Sequence, residues 1–154
     1  MARDDFAEKQ AYAGLFTLTI DGLEIGQFKE VHGLQIDIAV ETVEEGGQNG
    51  FQHRFPGRMS WPNLTFKRGL TNPDNLFTWI NEVAGDGFAA NGHKLKRSTG
   101  AVSLYGSDGT LLRSWNIEGA FPVRWSGPDL VSGGTGTLDE ELEIAHHGFR
   151  AETH

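Results

Sequence analysis

Apolar and polar residues alternate along most of this chain, with the period of two that marks strands covered on one face. Leu34, Ile36, Ile38 and Val40 share one parity, and Gln35, Asp37, Ala39 and Glu41 share the other. This run predicts a half-buried strand with an acidic wet face. Phe51, His53 and Phe55 then alternate with Gln52 and Arg54. Residues 34–55 therefore read as a long hairpin, its tip the polar loop Glu44-Glu45-Gly46-Gly47-Gln48-Asn49-Gly50. Upstream, Phe16, Leu18 and Ile20 alternate with Thr17 and Thr19, meet Asp21-Gly22, and continue as Leu23, Ile25 and Phe28. Asp-Gly between apolar runs is a strong hairpin signal, because both central residues of a type I′ turn need positive φ. Gly26 in the return strand predicts a bulge.

The segment from Phe55 to Thr71 reads as a tight turn at Pro56-Gly57, then a strand interrupted by a proline, then a basic exit. Met59 and Trp61 are out of phase with Leu64 and Phe66, which predicts a bulge or an edge position at Pro62-Asn63. A helix follows Thr71. Asn72 suits its N-cap, Pro73 its first position and Asp74 its positive end, and Leu76, Phe77, Ile80, Val83 and Ala84 form the apolar stripe before Gly85-Asp86-Gly87 ends it. Strands resume over residues 101–105 and 111–115 around Gly106-Ser107-Asp108-Gly109. Trp115, Ile117, Phe121, Val123 and Trp125 continue the β pattern, with kinks at Gly119 and Pro122. In the last strand, residues 137–146, Leu138, Leu142 and Ile144 face in while Asp139, Glu141 and Glu143 face out. Glu140 shares the inner parity, so it needs a partner or an edge. The pattern predicts a mainly β fold, a sandwich or barrel with one covering helix. Residues 1–14 read as an N-terminal arm and residues 15–154 as a single domain.

Composition sharpens this in three ways. The 21 glycines among 154 residues exceed the usual share of roughly 7% and, with 5 prolines, fit many tight turns. The absence of cysteine removes disulfides, thiolate metal sites and cysteine nucleophiles. A formal net charge of −8 opposes duplex DNA or anionic membrane as the primary partner. The N-terminus lacks the apolar stretch of a secretory signal, and no run is long enough for a membrane helix. We therefore expect synthesis in the cytoplasm, release by lysis or a dedicated route, and no membrane insertion by this chain.

The search for reactive chemistry yields little. Asp139, Glu140, Glu141 and Glu143 could hold a general acid and base, but alternate carboxylates on one strand face are ordinarily solvated. His146 and His147 are adjacent, so they point to opposite faces, and no third ligand accompanies them. The glycines of residues 132–136 lack a phosphate-loop pattern and precede a strand. Asn63-Leu64-Thr65 is a glycosylation sequon placed inside a strand. Lys94, Lys96 and Arg97 form the densest basic cluster, short for nucleic acid and suited to an acidic neighbour. Trp61, Trp79, Trp115 and Trp125 could stack on sugars, although in a fold of this size tryptophans are more often core. No catalytic residue, metal ligand or cofactor is expected.

Seven segments in order carry a family resemblance: Phe16-Thr17-Leu18-Thr19-Ile20-Asp21-Gly22; Phe28-Lys29-Glu30-Val31-His32-Gly33-Leu34; Glu44-Glu45-Gly46-Gly47-Gln48-Asn49; Phe55-Pro56-Gly57; Asn63-Leu64-Thr65-Phe66-Lys67-Arg68-Gly69; Gly127-Pro128; and Glu143-Ile144-Ala145-His146-His147-Gly148-Phe149. Together they resemble the tail-tube proteins of contractile phage tails and contractile injection systems. The likeness spans residues 16–149. Phe149 stands where that family commonly has Leu, and His147 where it commonly has an acid.

The resemblance implies a non-enzymatic structural subunit: a β-barrel-like sandwich of two packed antiparallel sheets, with a flanking helix and an extended hairpin. It implies homohexameric rings stacked into a hollow tube inside a contractile sheath. Baseplate or spike-hub and terminator proteins are the implied partners, and DNA or effector protein the cargo. On that reading Gln35, Asp37 and Glu41 face the lumen, where negative charge repels polyanions. Glu44, Glu45, Gly46, Gly47, Gln48 and Asn49 reach the next ring or subunit, and Lys94, Lys96 and Arg97 meet an acidic neighbour. The competing readings are a tube–baseplate adaptor, a secreted cargo-carrying ring, a carbohydrate-binding β-sandwich and a small hydrolase.

Overall fold

The computed structural model describes residues 13–44, 46–47, 50, 52–69, 75–84, 89, 92, 97–134, 136 and 138–152. Residues 1–12 of the arm expected over residues 1–14, the helix cap at Asn72, Pro73 and Asp74, and the helix stop at Gly85-Asp86-Gly87 lie outside the described residues. The elements are β1 (Ala13–Ile20), β2 (Leu23–Phe28), β3 (Glu30–His32), β4 (Asp37–Val43), β5 (His53–Ser60), β6 (Leu64–Gly69), α1 (Asn75–Val83), β7 (Ser98–Gly106), β8 (Leu111–Ser126), β9 (Asp139–Ala145) and β10 (Phe149–Glu152). β1 thus starts two residues inside the stretch assigned to the arm.

The strands hydrogen-bond in the order β2-β1-β7-β8-β9-β6-β3, with β10 also on β8, and every pair is antiparallel. β8 belongs to both layers. Its first part pairs with β7 and β10, and its last part, from Phe121 to Ser126, pairs with β9. The kinks expected at Gly119 and Pro122 fall at this crossover, where Gly119 has φ 64° and the register slips between Pro122 and Arg124. The result is a sandwich-like pair of sheets, not closed into a barrel. The β4–β5 hairpin stands apart as a separate two-stranded sheet.

Leu18, Ile20, Ile25, Phe28, Val102 and Ile117 from one layer meet Leu64, Phe66, Leu142 and Ile144 from the other. The rings of Phe28 and Phe66 touch across the middle, with centroids 5.1 Å apart. The Asp21-Gly22 turn forms as expected, with φ values of 50° and 81°. The β1–β2 register skips Ile25, giving the bulge expected beside Gly26. Gly26 also makes room: a Cβ there would lie 2.4 Å from Arg68 Nη1. Arg68 is buried, donates through Nε to Glu140 Oε2 at 2.8 Å, and lies over the Phe28 ring. The partner required by the inward parity of Glu140 is therefore Arg68.

Two expectations need correction. Pro56 and Gly57 do not form a turn. They lie inside β5, which has a neighbour on one side only, so proline's missing N–H breaks no second ladder. Residues 61–63, between β5 and β6, belong to neither strand. The apolar stripe of α1 also differs. Leu76, Trp79 and Val83 are buried and Ile80 packs beside them, whereas Ala84 is exposed and Phe77 turns sideways onto Trp125, with ring centroids 5.0 Å apart. Positions 76, 79, 80 and 83 share one side of a 3.6-residue helix, and 77 lies at its margin.

Candidate assembly interface

The β4–β5 hairpin leaves the sandwich through residues 33–36 and returns through residues 61–63. Its root is braced. Gly33 has φ 98°, and a Cβ there would fall 2.2 Å from the carbonyl oxygen of Asn63, so only glycine lets the two root strands pass. His146 Nδ1 accepts the Gly148 N–H at 3.0 Å, leaving Nε2 to donate to the Pro62 carbonyl at 2.9 Å. Asn63 Nδ2 donates to Glu143 Oε1 at 2.9 Å, and the Trp61 ring meets Phe149 edge-on at 5.0 Å. These contacts fix where the hairpin points.

Beyond the root, most described residues of the hairpin are exposed on both faces. Every residue of β4 is exposed, so the half-buried strand expected here is not half-buried in the single chain. The register pairs Ile38 with Met59 and Val40 with Pro56, with a bulge between. One face therefore presents Ile38 (51% exposed), Val40 (62%) and Met59 (50%), with Ile36 beside them. The other face carries Asp37 opposite Ser60 and Glu41 opposite Phe55. Gln35 Nε2 donates to both carboxylate oxygens of Asp37, at 2.9 and 3.0 Å. Phe55, itself exposed, stacks on His53, so the acidic face also carries an aromatic pair. The alternation in the sequence is real, but none of the described residues covers its apolar side.

Of the residues expected at contacts between subunits, Glu44 accepts a hydrogen bond from Gln52 Nε2 at 3.2 Å, and Gly46 and Gly47 are exposed at the tip. Glu45, Gln48, Asn49, Lys94 and Lys96 lie outside the described residues. Arg97 is engaged within its own chain, over the Phe121 ring at 4.9 Å and donating to the Gly119 carbonyl at 3.3 Å.

The groups considered for chemistry have structural partners. Lys29 Nζ lies 2.8 Å from Asp139, Arg124 reaches Glu141 at 3.2 Å and Glu143 at 3.7 Å, and Lys67 reaches Glu141 at 3.8 Å. Among the described residues no group of three acidic or histidine side chains could hold a metal ion. Trp79 is buried, Trp61 and Trp125 pack on Phe149 and Phe77, and Trp115 lies under Arg113, so the four do not form one platform. No described helix is long and apolar enough to cross a membrane.

Among the described residues the open two-layer β fold carries a braced, uncovered amphipathic hairpin and no group of three potential metal ligands. The sequence model of the T4-like virus tail tube protein gp19 family matches residues 13–150. This chain belongs to that tail-tube family. It is a structural protein and not an enzyme. No curated protein matches it at a significant level. Among solved structures, a chain from the extended sheath–tube complex of the extracellular contractile injection system PVC has a TM-score of 0.72 at 23% identity, covering 99% of this chain and 97% of that one. A chain from the anti-feeding prophage tube-terminating cap gives 0.71 at 21% identity, over 90% and 88%. One from the anti-feeding prophage baseplate gives 0.69 at 20% identity, over 90% and 91%. At these identities the likeness is one of fold, and it is shared by proteins placed along a tube, at its cap and at its baseplate.

Proposed function

We propose that this tail-tube protein forms homohexameric rings that stack into the hollow inner tube of a contractile tail or injection particle. The observation that carries this reading is the β4–β5 hairpin. Ile36, Ile38, Val40 and Met59 are open to water, while the strands also leave unpaired backbone edges. An isolated two-stranded hairpin is marginal in water, and neighbouring copies supply both the missing edges and the missing cover. With the apolar side covered, Gln35, Asp37 and Glu41 line the channel and keep polyanionic cargo, DNA or acidic effector protein, from adhering. The sheath surrounds the tube, and baseplate-hub and terminator proteins close its ends, as expected for assemblies like those in which its structural neighbours were solved. Residues 1–12 act as an arm on a domain formed by the rest.

Purified protein at rising concentration tests this by native mass spectrometry and negative-stain imaging. Six-copy rings or hollow tubes of uniform width are expected. A monomer at every concentration, and no tube containing this chain in particles from its host, would remove the reading. Reversing Asp37 and Glu41 to Lys tests the lumen assignment: such tubes should retain added DNA, and tubes that stay empty would move these residues off the channel wall.

A further inference from the structure

His146 sits where β9 ends, against the root of the hairpin, and is 8% exposed. Both hydrogen-bond partners of its imidazole are backbone groups of fixed polarity. The Gly148 N–H can only donate, and it meets Nδ1 at 3.0 Å. The Pro62 carbonyl can only accept, and it lies 2.9 Å from Nε2. A neutral imidazole with its proton on Nε2 satisfies both, and no other protonation state does. The rings of Trp61 and Phe149 stand around it, with centroids 6.1 and 6.0 Å away. The Gly148 turn is itself pinned to β8: the His147 N–H donates to the Glu118 carbonyl at 2.8 Å, and the Glu118 N–H donates to the Gly148 carbonyl at 2.9 Å. Among the described residues no carboxylate pairs with the His146 ring. On β9, Glu143 is bonded to Asn63 and lies 3.7 Å from Arg124. On β8, Glu118 is exposed, and the Gly119 carbonyl takes the Arg97 guanidinium. His147 and, on β10, Arg150 are exposed, and the root segments 33–36 and 61–63 hold no titratable side chain.

We propose that His146 is a proton-operated latch on the β4–β5 hairpin, which fixes the root while neutral and releases it when protonated. A second proton on the ring would set an Nδ1–H against the Gly148 N–H, two donors face to face. The Gly148 peptide cannot turn away, because β8 holds the turn through both bonds to Glu118. The imidazole must therefore leave its place, and the bond to Pro62 and the packing on Trp61 go with it. The closed root binds no proton at His146 and the released root binds one, so acid favours the released form. An imidazole freed into water takes up its proton as the pH falls below roughly 6.5, so the root is closed above that pH and opens progressively below it. A hairpin that swings cannot offer Ile38, Val40 and Met59 to a neighbour in one register, and ring assembly weakens in acid. The latch stands on the root geometry alone, and its effect on assembly rests on the ring reading.

NMR of the unmodified protein, kept below the concentration at which it assembles, tests the latch. At pH 8 the nitrogen shifts of His146 should show a proton on Nε2 and none on Nδ1, and the Gly148 amide should be protected from exchange. Towards pH 5 its protection factor, corrected for the pH dependence of free amide exchange, should fall by up to about tenfold per pH unit, the limit for one proton. A proton on Nδ1 at pH 8, or a Gly148 amide equally protected at both pH values, would overturn the latch. Assembly gives the second readout. Pelleting at matched concentration should recover far less unmodified protein as tubes at pH 5 than at pH 8. His146→Asn keeps an acceptor for the Gly148 N–H and does not titrate, so its recovery should be the same at both pH values. His53→Asn and His147→Asn remove the neighbouring imidazoles and should keep the acid loss. Equal acid sensitivity of His146→Asn and the unmodified protein would overturn the coupling to assembly. No rings from the unmodified protein at pH 8 would remove the ring reading, and the NMR result would still decide the latch, whether or not His146→Asn folds.

Discussion

The β4–β5 hairpin and the β6–β9 pair carry similar alternating sequences and meet opposite fates. In β6, Leu64 and Phe66 are buried and Thr65 and Lys67 are partly open; in β9, Leu142 and Ile144 are buried between Glu141 and Glu143. In β4, Ile38 and Val40 have the same spacing and remain in water. Alternation records which side of a strand is to be covered. It does not record by which molecule. The body of the fold is covered from within, by the opposing layer, whereas the described residues leave the hairpin open, and the proposed ring would cover it with another copy.

The largest expected effects fall in the body. Phe66→Ala removes a ring packed on Phe28 and should lower stability by about 3–5 kcal/mol in urea unfolding. A loss below about 1 kcal/mol would mean that the two layers are not closely packed. Arg68→Met strands the Glu140 carboxylate in the core and should cost about 3–5 kcal/mol, whereas Arg68→Met with Glu140→Leu should return near the parent value. If single and double variants fall equally, packing of the arginine stem outweighs the charge pair. At the root, Gly33→Ala combines a positive φ with a blocked approach to Asn63 and should cost about 1–3 kcal/mol. In the hairpin itself, Ile38→Ser with Val40→Ser should change monomer stability by less than about 0.5 kcal/mol, as exposed substitutions do, while removing assembly. Breaking the exposed Lys29–Asp139 pair with Lys29→Ala should cost under about 1 kcal/mol, and less in high salt.

Much of the body was legible from local chemistry. Asp21-Gly22 can hold its turn because both residues accept positive φ, and Gly119 and Pro122 mark where β8 passes between layers. The inward parity of Glu140 called for a partner or an edge position, and the buried Arg68 is that partner. What the pattern could not reveal depends on distant contacts. Pro56-Gly57 looks like a turn until β5 proves to have one neighbour, which lets proline stay in the strand. Trp79 replaces Ala84 in the helix stripe because the packing of β2 and β8 selects the face.

The claim that another copy covers the apolar hairpin face is tested most directly by comparing unmodified protein with the Ile38→Ser and Val40→Ser double variant in negative-stain images at matched concentration. The two should share one urea midpoint, and only the unmodified protein should form rings or tubes. Tubes of normal width from the variant would contradict the account.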